Sequence, residues 1–401
     1  MRILLLVCIL FWSLGSFTQQ MRIGVLRSHS VKRIVFAYAE GNYSFYGDST
    51  FLGRIQPNEF LDLTLVDSGK ISLRKGASYI GQYGKIFIIQ DSRNTSLSLQ
   101  SKIPEVKLRK YKDDFVITAH KDLTVVNLVD MDNYLAGVVE SEGGGKRELE
   151  YYKVQAIMSR TYASKYKTKH AAEGFDLCDR VHCQAYHSMM RFTPKIDEAV
   201  KATSGIIMVD AKGKYIDAYF HANCGGQTCL PEYVWNNPVP YLSTFKDTFC
   251  IYTHQATWTK KIAKSMWRSF LVTNYDYPVS HPEYGPQIYN FDQEDRKAFF
   301  VSPELGIPLR DLRIHFNLKS TYFSVREEGG YVIIKGRGFG HGVGMCQEGA
   351  MKMAAYNFNY EQITQFYFSG AYFYDTKTEN FFEQYVHDLP EIMSKEEYFE
   401  D

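Results

Sequence analysis

The stretch DMDNYLAGVVESEGGGKRELEYYKVQAIMSRTYASKY, residues 130–166, predicts two consecutive α-helices. The first helix has apolar residues at helical spacing on one face, at Leu135, Val138 and Val139. The glycines at 143–145 are expected to end this helix. The pattern of a second helix then runs over Leu149–Lys167.

Glu142 continues the apolar stripe of the first helix at its C-terminal end. A carboxyl group there loses water, which raises its pKa, and the helix C-terminus acts in the same direction. Such a group suits general acid catalysis near neutral pH. The alternative is a structural ion pair, for which Arg160 on the inward face of the second helix is the obvious partner. Glu140 falls on the other face and is expected to be solvated.

The flanking segments set the fold class. Residues 21–125 are predicted to form strands, because β-branched and aromatic runs alternate with Gly, Asn and Asp. Later segments mix helical and strand patterns, and an amphipathic helix is predicted over 255–272. The predicted class is α+β, a β-rich N-terminal platform followed by a mixed helix/strand core. We assign a signal peptide (1–18), the β-rich region (19–125), the core (126–380, with an inserted region at about 251–310) and an acidic tail (381–401).

Charge and hydropathy limit the classes of function. With 46 Lys and Arg against 45 Asp and Glu, the net charge of +1 does not indicate a nucleic-acid-binding protein. The first residues, MRILLLVCILFWSLGSFTQQ (1–20), have the order of a bacterial secretory signal, with an uncleaved signal anchor as the alternative. No later stretch is apolar over ~18 residues. We therefore expect no membrane span after signal cleavage, and a location in the periplasm or at the cell exterior.

A short segment rich in Cys and His, CDRVHCQAYH (178–187), is a candidate metal site. Its thiols and the nearby imidazoles are Cys178, Cys183, His182 and His170. Two thiolates and an imidazole suit zinc, and a thiolate-rich site is usually structural. A Cys178–Cys183 disulfide remains the open alternative for an exported protein.

Two later segments carry Gly beside Cys or His. FHANCGGQTC (220–229) favours a Cys224–Cys229 disulfide, with ligation of the same metal as the second interpretation. GRGFGHGVGMCQEGA (336–350) has His341 in a run of alternating glycines ahead of a helix. Such glycines let the backbone approach a ligand closely, so we expect His341 to lie at the wall of a site.

Together, these motifs resemble those of the stage II sporulation protein D/LytB amidase-enhancer family of bacterial cell-wall proteins. The matching pieces are YLAGVVESE (134–142), KVQAIMSRTYA (153–163), CDRVHCQAY (178–186), FHANCGGQT (220–228), VWNNPVPYL (234–242), LKSTYFSV (318–325) and GFGHGVGMCQEGAMKMA (338–354). They occur in the family's order over roughly residues 120–356. Departures are Gly143-Gly144 after Glu142, Cys224 in place of Ser, and Cys346 in place of Ser.

The resemblance implies a lytic transglycosylase that cleaves the MurNAc–GlcNAc bond of peptidoglycan to a 1,6-anhydro end. Glu142 would be the catalytic acid and Arg160 the family's arginine. The residues expected to line the substrate groove are His341, Tyr241 and Gln347. Some members bind zinc through the Cys/His segment, which implies Cys178 and Cys183 here, with His170 or His182 as a third ligand. No organic cofactor is expected.

The expected partners are peptidoglycan glycan strands and, on the LytB side of the family, a cell-wall amidase. The runner-up function is accordingly a non-catalytic enhancer that binds glycan and activates an amidase. A third interpretation is a zinc hydrolase acting through the Cys/His segment, although that segment has no general base near it in the sequence.

Overall fold

The computed structural model describes residues 20–378, except 57, 68, 94 and 188–193. The signal peptide predicted at 1–18 and the acidic tail predicted at 381–401 lie outside these residues. The predicted α+β class, with a β-rich N-terminal region, is confirmed. The chain divides into two units, Met1–Tyr134 with His170–Asp179, and Leu135–Lys169 with Arg180–Asp401.

The first unit is built from strands. They are β1 (Gln20–Val25), β2 (Arg33–Glu40), β3 (Tyr43–Gly47), β4 (Thr50–Ile55), β5 (Phe60–Leu65), β6 (Ile71–Lys75), β7 (Ser78–Tyr83), β8 (Lys85–Gln90), β9 (Ser96–Ile103), β10 (Arg109–Lys112), β11 (Asp114–Ala119), β12 (Leu123–Asp130) and β13 (Leu177–Cys178). One sheet has the order β13-β1-β12-β11-β8-β3-β4 and the other β10-β9-β2-β5-β6-β7. Phe36 of β2 and Phe115 of β11 meet edge to face at 5.1 Å, so the core of this unit lies between the two sheets.

The segment His170–Asp179 belongs to the first unit because strand pairing and hydrogen bonds attach it to that unit. Its strand β13 pairs in parallel with β1, with Leu177 opposite Ile23. The buried Asp179 carboxylate accepts the backbone N–H of Leu26 at 2.7 Å and the Arg109 guanidinium at 2.8 Å. These charge-assisted bonds fix the segment that carries two of the predicted zinc ligands.

The second unit contains most of the helices. The helices are α1 (Met131–Gly143, which begins in the first unit), α2 (Leu149–Lys165), α3 (Pro194–Ala202), α4 (Glu232–Trp235), α5 (Lys264–Tyr275), α6 (Tyr284–Gln287), α7 (Leu309–His315), α8 (Gln347–Ala355) and α9 (Tyr360–Tyr367). The strands are β14 (Ile206–Val209), β15 (Phe220–His221), β16 (Thr257–Ala263), β17 (Asn290–Phe291), β18 (Phe323–Glu328), β19 (Tyr331–Arg337), β20 (Met345–Cys346) and β21 (Tyr372–Asp375).

Helix α2 is the centre of this unit. It packs against α3, α8, α9 and β14, and most of its side chains from Tyr151 to Ala163 are buried. A helix that is covered on most sides has no face that must be polar. This explains why apolar and polar residues are not sharply separated around α2. Both helices predicted within residues 130–166 are present.

Residues 257–337 form a separate hydrophobic core within the second unit. Its sheet has the order β16-β19-β18-β17, and α5 and α7 supply the apolar residues that pack around Trp267. The amphipathic helix predicted over 255–272 is wrong in its first half. Thr257–Ala263 is strand β16, held by pairing with β19, and the helix begins at Lys264. Within the described part of the chain, no helix is both long and apolar enough to cross a membrane.

Candidate active site

Glu142 lies in the last turn of α1. The predicted apolar stripe of this helix is fully buried, whereas Glu142 itself is half-buried. The helix ends at Gly143, and Gly144 takes a left-handed φ of +68° that most residues avoid. The sequence therefore places one carboxyl group at the edge of the core, beside a sharp turn.

The environment of Glu142 raises the pKa of its carboxyl group, mainly by burial. The backbone N–H of Ala185 donates a 2.8 Å hydrogen bond to Oε1, which opposes part of this rise. Among the described residues, none forms a hydrogen bond with Oε2. One carboxyl oxygen is thus oriented by the backbone, and the other remains available to a ligand.

Polar residues of α2 and α8 hold the end of α1. Gln347, the first residue of α8, donates from Nε2 to the Glu142 carbonyl oxygen at 3.4 Å and to Oε1 of Gln155 at 3.3 Å. The Tyr151 hydroxyl also donates to Gln155, at 3.3 Å. At Gly143, an added Cβ would lie only 2.9 Å from the Tyr151 ring, so glycine is required for this packing. Gln347 therefore adjoins Glu142 but is buried, at 8% exposure, and its place in the substrate groove stays a prediction.

Arg160 is not paired with Glu142, so the predicted ion pair is wrong. Its Nη1 donates to the Thr203 carbonyl at 2.6 Å, and its Nη2 to the Val200 carbonyl at 3.3 Å. The guanidinium is directed there because the carbonyls at the C-terminal end of a helix, here in the last turn of α3 and just after it, attract cations. The structure thus places Arg160 in the interior, at 3% exposure, where it joins α2 to α3.

Glu140 is buried rather than solvated, which corrects a second expectation. Only 7% of this residue is exposed. The expectation assumed that one face of α1 meets water. Ala136, one turn before Glu140 on the same face, is buried too, so that face is covered as well.

An aromatic patch formed by Tyr219, Trp235 and His341 is the strongest candidate for sugar contact in the second unit. The Tyr219 and Trp235 ring centroids are 4.4 Å apart, and those of Trp235 and His341 are 5.2 Å apart. Trp235 is 42% exposed, so its indole is open to a ligand. Amphipathic rings of this kind offer apolar faces to sugars without the entropy loss of longer side chains.

His341 contributes a neutral imidazole to this patch. Burial and the nearby Arg313 and Arg296 lower its pKa to about 4, so the ring is uncharged at neutral pH. Its Nδ1 accepts the backbone N–H of Val343 at 3.1 Å. His341 is half-buried, and its position at the wall of a site stays a prediction.

Tyr241 does not belong to the patch. It is 8% exposed, its hydroxyl accepts the backbone N–H of Asp217 at 2.7 Å, and the same hydroxyl donates to Oδ2 of Asp217 at 3.2 Å. Asp217 also binds Lys165 and the Tyr166 hydroxyl. The predicted groove wall at Tyr241 is therefore a buried polar contact, and Trp235 has the exposure that the prediction required.

The Cys/His segment is divided between the units. His170 and Cys178 belong to the first unit and are buried, while His182 and Cys183 belong to the second. The Nδ1 of His170 contacts the Glu173 carboxylate at 2.5 Å, the type of contact that orients metal-binding imidazoles. Nδ1 of His182 is 3.6 Å from Sγ of Cys183, a separation compatible with two ligands of one tetrahedral ion. Each unit thus contains one thiol and one imidazole of this segment, and these are the donor types that zinc binds.

The Cys224–Cys229 disulfide predicted from the second C-x4-C pair is wrong. Cys224 lies beside Cys250, with their Sγ atoms 3.3 Å apart and not bonded, and Cys229 is outside this group. The pairing was misassigned because spacing alone cannot identify a partner from a distant loop.

Sequence reasoning missed Tyr219, Tyr151 and Gln155. Tyr219 directly precedes FHANCGGQTC, and its aromatic character was the available signal. Tyr151 and Gln155 carry no local signal, because a buried helix places apolar and polar residues alike against its neighbours.

Comparisons with known proteins match the part of the chain that contains Glu142. The stage II sporulation protein family model matches residues 119–209, a range that contains Glu142, Arg160 and the Cys/His segment. An uncharacterised protein of Brachyspira hyodysenteriae is 32% identical over 254 residues, covering 62% of this chain and 68% of that protein.

Two relatives from Bacillus subtilis (strain 168) carry functional names. Its stage II sporulation protein D is 26% identical over 266 residues, covering 61% of this chain and 75% of that protein. Its amidase enhancer is 26% identical over 290 residues, covering 59% of this chain but only 40% of the enhancer.

Proposed function

The chain belongs to the stage II sporulation protein D/LytB family, and on that basis we propose that it is an exported lytic transglycosylase of peptidoglycan glycan strands. One observation carries the proposal. Glu142 is a half-buried carboxyl group with a raised pKa, one oxygen held by Ala185 and the other available to a ligand. This is the arrangement that a general acid needs.

In the proposed reaction, protonated Glu142 gives its proton to the glycosidic oxygen as the C1–O bond of MurNAc breaks. The carboxylate then accepts the proton of the MurNAc C6 hydroxyl, whose oxygen bonds to C1. The product is a 1,6-anhydro end, no water is consumed, and Glu142 is protonated again. Because the nucleophile belongs to the substrate, a second enzymic carboxylate is unnecessary.

The neighbours of Glu142 support this role by positioning. Ala185 orients the carboxyl group, and Gln347 holds the carbonyl at the end of α1. Gln155 and Tyr151 fix the side chain of Gln347 in turn. We further propose that the rings of the aromatic patch offer apolar faces to the glycan.

Zinc is proposed at Cys178 and Cys183, with His170 and His182 as the imidazole donors. Such a site would stabilise the fold and would not act on the substrate, because thiolate-rich zinc sites are closed. Export through the predicted signal peptide, to the periplasm or the cell exterior, completes the proposal.

The non-catalytic enhancer remains a second candidate, because a relative named amidase enhancer matches this chain. Purified glycan strands separate the two functions. The protein alone should release soluble fragments from them if it is a lytic transglycosylase. An enhancer would release none, and would instead accelerate a cell-wall amidase even as the Glu142→Gln variant.

The pH dependence of cleavage is expected to follow Glu142. The proton donor is lost as the pH rises through the pKa of this group, so kcat/KM should fall on the alkaline side. Because burial raises that pKa, the fall should lie above the range of an exposed glutamic acid, ~4.3. A pH–rate profile of the purified protein measures this. A fall centred at the ordinary glutamate value would contradict the role of burial.

Replacing Trp235 by Ala is expected to weaken glycan binding by about tenfold, or ~1.4 kcal/mol, with little change in kcat. The reason is that Trp235 offers a ring face to the sugar but no group to the reaction. Tyr252→Ala is the matched control, since Tyr252 is 95% exposed and outside the patch. Saturation kinetics measure both variants, and equal KM values for the two would exclude the patch as a glycan contact.

A further inference from the structure

Three cysteines and one aspartate converge in the interior of the second unit. They are Cys224, Asp247, Cys250 and Cys346, and each is 0% exposed. Their sulfur and carboxylate oxygen atoms all lie within 4.8 Å of one another. We call these four residues the thiol cluster. None of them belongs to the Cys178–Cys183 segment or to the catalytic role described above.

The thiol cluster joins three separate parts of the chain. Cys224 follows β15, Cys346 ends β20, and Asp247 and Cys250 come from the loop between α4 and β16. Strands β15 and β20 pair in parallel, with His221 opposite Cys346. The four donors are therefore held by regular structure as well as by a loop.

The distances suit a small tetrahedral ion. Sγ of Cys224 is 3.3 Å from Sγ of Cys250 and 3.3 Å from Oδ2 of Asp247. Two thiolates bound to zinc at ~2.3 Å with tetrahedral angles lie about 3.8 Å apart. An outward shift of a few tenths of an ångström would bring the pair to that separation.

The hydrogen bonds around the cluster suit thiolate ligands. Sγ of Cys346 accepts two backbone N–H groups, from Cys224 and from Gly349, each at 3.3 Å. Backbone donors of this kind stabilise a metal-bound thiolate and fix its direction. Glycine is required at position 349, since an added Cβ would lie 2.6 Å from Oδ2 of Asp247.

The surroundings of Asp247 add to the geometric argument for a cation. The Asp247 carboxylate accepts the Phe249 backbone N–H and the Tyr367 hydroxyl, both at 3.0 Å. Over the described ranges, Asp247 forms no ion pair, although it is completely buried. A buried carboxylate is costly unless a positive charge compensates it. A metal ion at the centre of the cluster would supply that charge.

A nearby arginine supports an anionic cluster of thiolates. The buried Arg296 guanidinium donates to the Cys224 carbonyl at 2.6 Å and to the Gln227 carbonyl at 2.8 Å. Its other described partners, the Thr321 hydroxyl, the Cys229 thiol and the Tyr322 ring, are neutral as well, and Arg296 forms no ion pair with any residue that the structure describes. One divalent cation with three thiolates and a carboxylate has a net charge of −2, which Arg296 would partly balance.

We propose that Cys224, Asp247, Cys250 and Cys346 bind one zinc ion as a closed structural site. On binding, the three thiols release their protons to solvent, and zinc gains three sulfur ligands and one oxygen ligand with no change of oxidation state. All four positions are filled by protein, so this ion has no open position for a substrate.

The site has a consequence for the active site, because Cys346 precedes Gln347. The Cys346 side chain also caps α8 by accepting the N–H of Gly349. A metal bound at Cys346 would fix the first turn of α8, and with it the Gln347 side chain that holds the end of α1. Loss of the ion should therefore affect stability first and turnover second.

The test is the zinc content of the purified full chain, measured for the wild type, Cys346→Ala and Cys229→Ala. Cys229 is a buried thiol of the same unit outside the cluster, so its variant is the matched control. We expect Cys346→Ala to lose about one zinc per chain relative to Cys229→Ala. Equal zinc in the two variants would overturn the proposal.

A second measurement remains informative if Cys346→Ala fails to fold. Asp247→Asn keeps the shape of the side chain and removes its charge. Both proteins are loaded with Co²⁺, and the thiolate-to-cobalt absorption reports the bound metal while a chelator is added. The wild type should bind Co²⁺ at least about tenfold more tightly than Asp247→Asn. An unchanged chelator profile, or recovery of a Cys224–Cys250 disulfide peptide from the unreduced protein, would contradict a zinc site.

Discussion

Replacing Glu142 by Gln is expected to lower glycan cleavage by about 10²–10⁴-fold. The amide keeps the shape of the side chain but can neither give nor retake a proton. The variant should melt no lower than the wild type at neutral pH. Burial raises the pKa of Glu142, so the carboxylate form lowers the stability of the folded wild type. This loss of stability is absent at pH values below the pKa of the unfolded state and complete above the pKa of the folded state. Fragment release and thermal melting on one preparation measure both effects.

The control for this variant is Glu148→Gln. Glu148 is an exposed carboxylate near the start of α2, and its partner is the surface residue Lys195 at 3.1 Å. A surface pair of this kind contributes about 0–1 kcal/mol, so activity and melting should change little. Glu140 would be a poor control, because it is buried. Equal losses of activity in Glu142→Gln and Glu148→Gln would remove Glu142 from the reaction.

Replacing Arg160 by Ala is expected to destabilise the protein strongly while sparing the chemistry. The change leaves the buried carbonyls of Val200 and Thr203 without their guanidinium donor. Thr203 keeps the Ile206 N–H and Val200 keeps the Thr203 hydroxyl, so the loss is that of the hydrogen bonds from a buried charged group. Such bonds contribute about 1.5–3 kcal/mol each, so the melting temperature should fall by on the order of 10 °C. Turnover per folded molecule should stay within a few-fold of the wild type.

Arg268→Ala is the matched control for this second variant, since Arg268 lies exposed on helix α5. It should melt within about 1–2 °C of the wild type. Thermal melting and cleavage rates corrected for the folded fraction measure both proteins. If Arg160→Ala melted normally but lost cleavage, Arg160 would act on the substrate, as the family resemblance implied.

The spacing of apolar residues and of glycines was sufficient to predict the elements that depend on short-range sequence alone. Helices α1 and α2 follow from the spacing of apolar residues and from the glycines between them, and Glu142 lies at the end of α1 as that spacing requires. The strand pattern of the N-terminal region likewise needs only alternation and turn residues. These features were therefore predictable from the sequence.

Other features depend on contacts between distant residues. Thr257–Ala263 has a helical pattern, but pairing with β19 makes it a strand. Glu140 is buried because both faces of α1 are covered, which periodicity cannot reveal. Cys224 meets a cysteine 26 residues away and another 122 residues away, so no spacing rule assigns its partners. Long-range packing decided each of these cases.

The chemical identity of the new ends of the cleaved glycan strands tests the central claim most directly. Purified peptidoglycan glycan strands are digested with the protein, and the products are analysed by mass spectrometry. The proposed mechanism predicts 1,6-anhydro-MurNAc ends, lighter by one water than reducing ends, and none with Glu142→Gln. Reducing MurNAc ends would indicate hydrolysis, and intact strands would indicate a protein without this activity; either result would contradict the proposal.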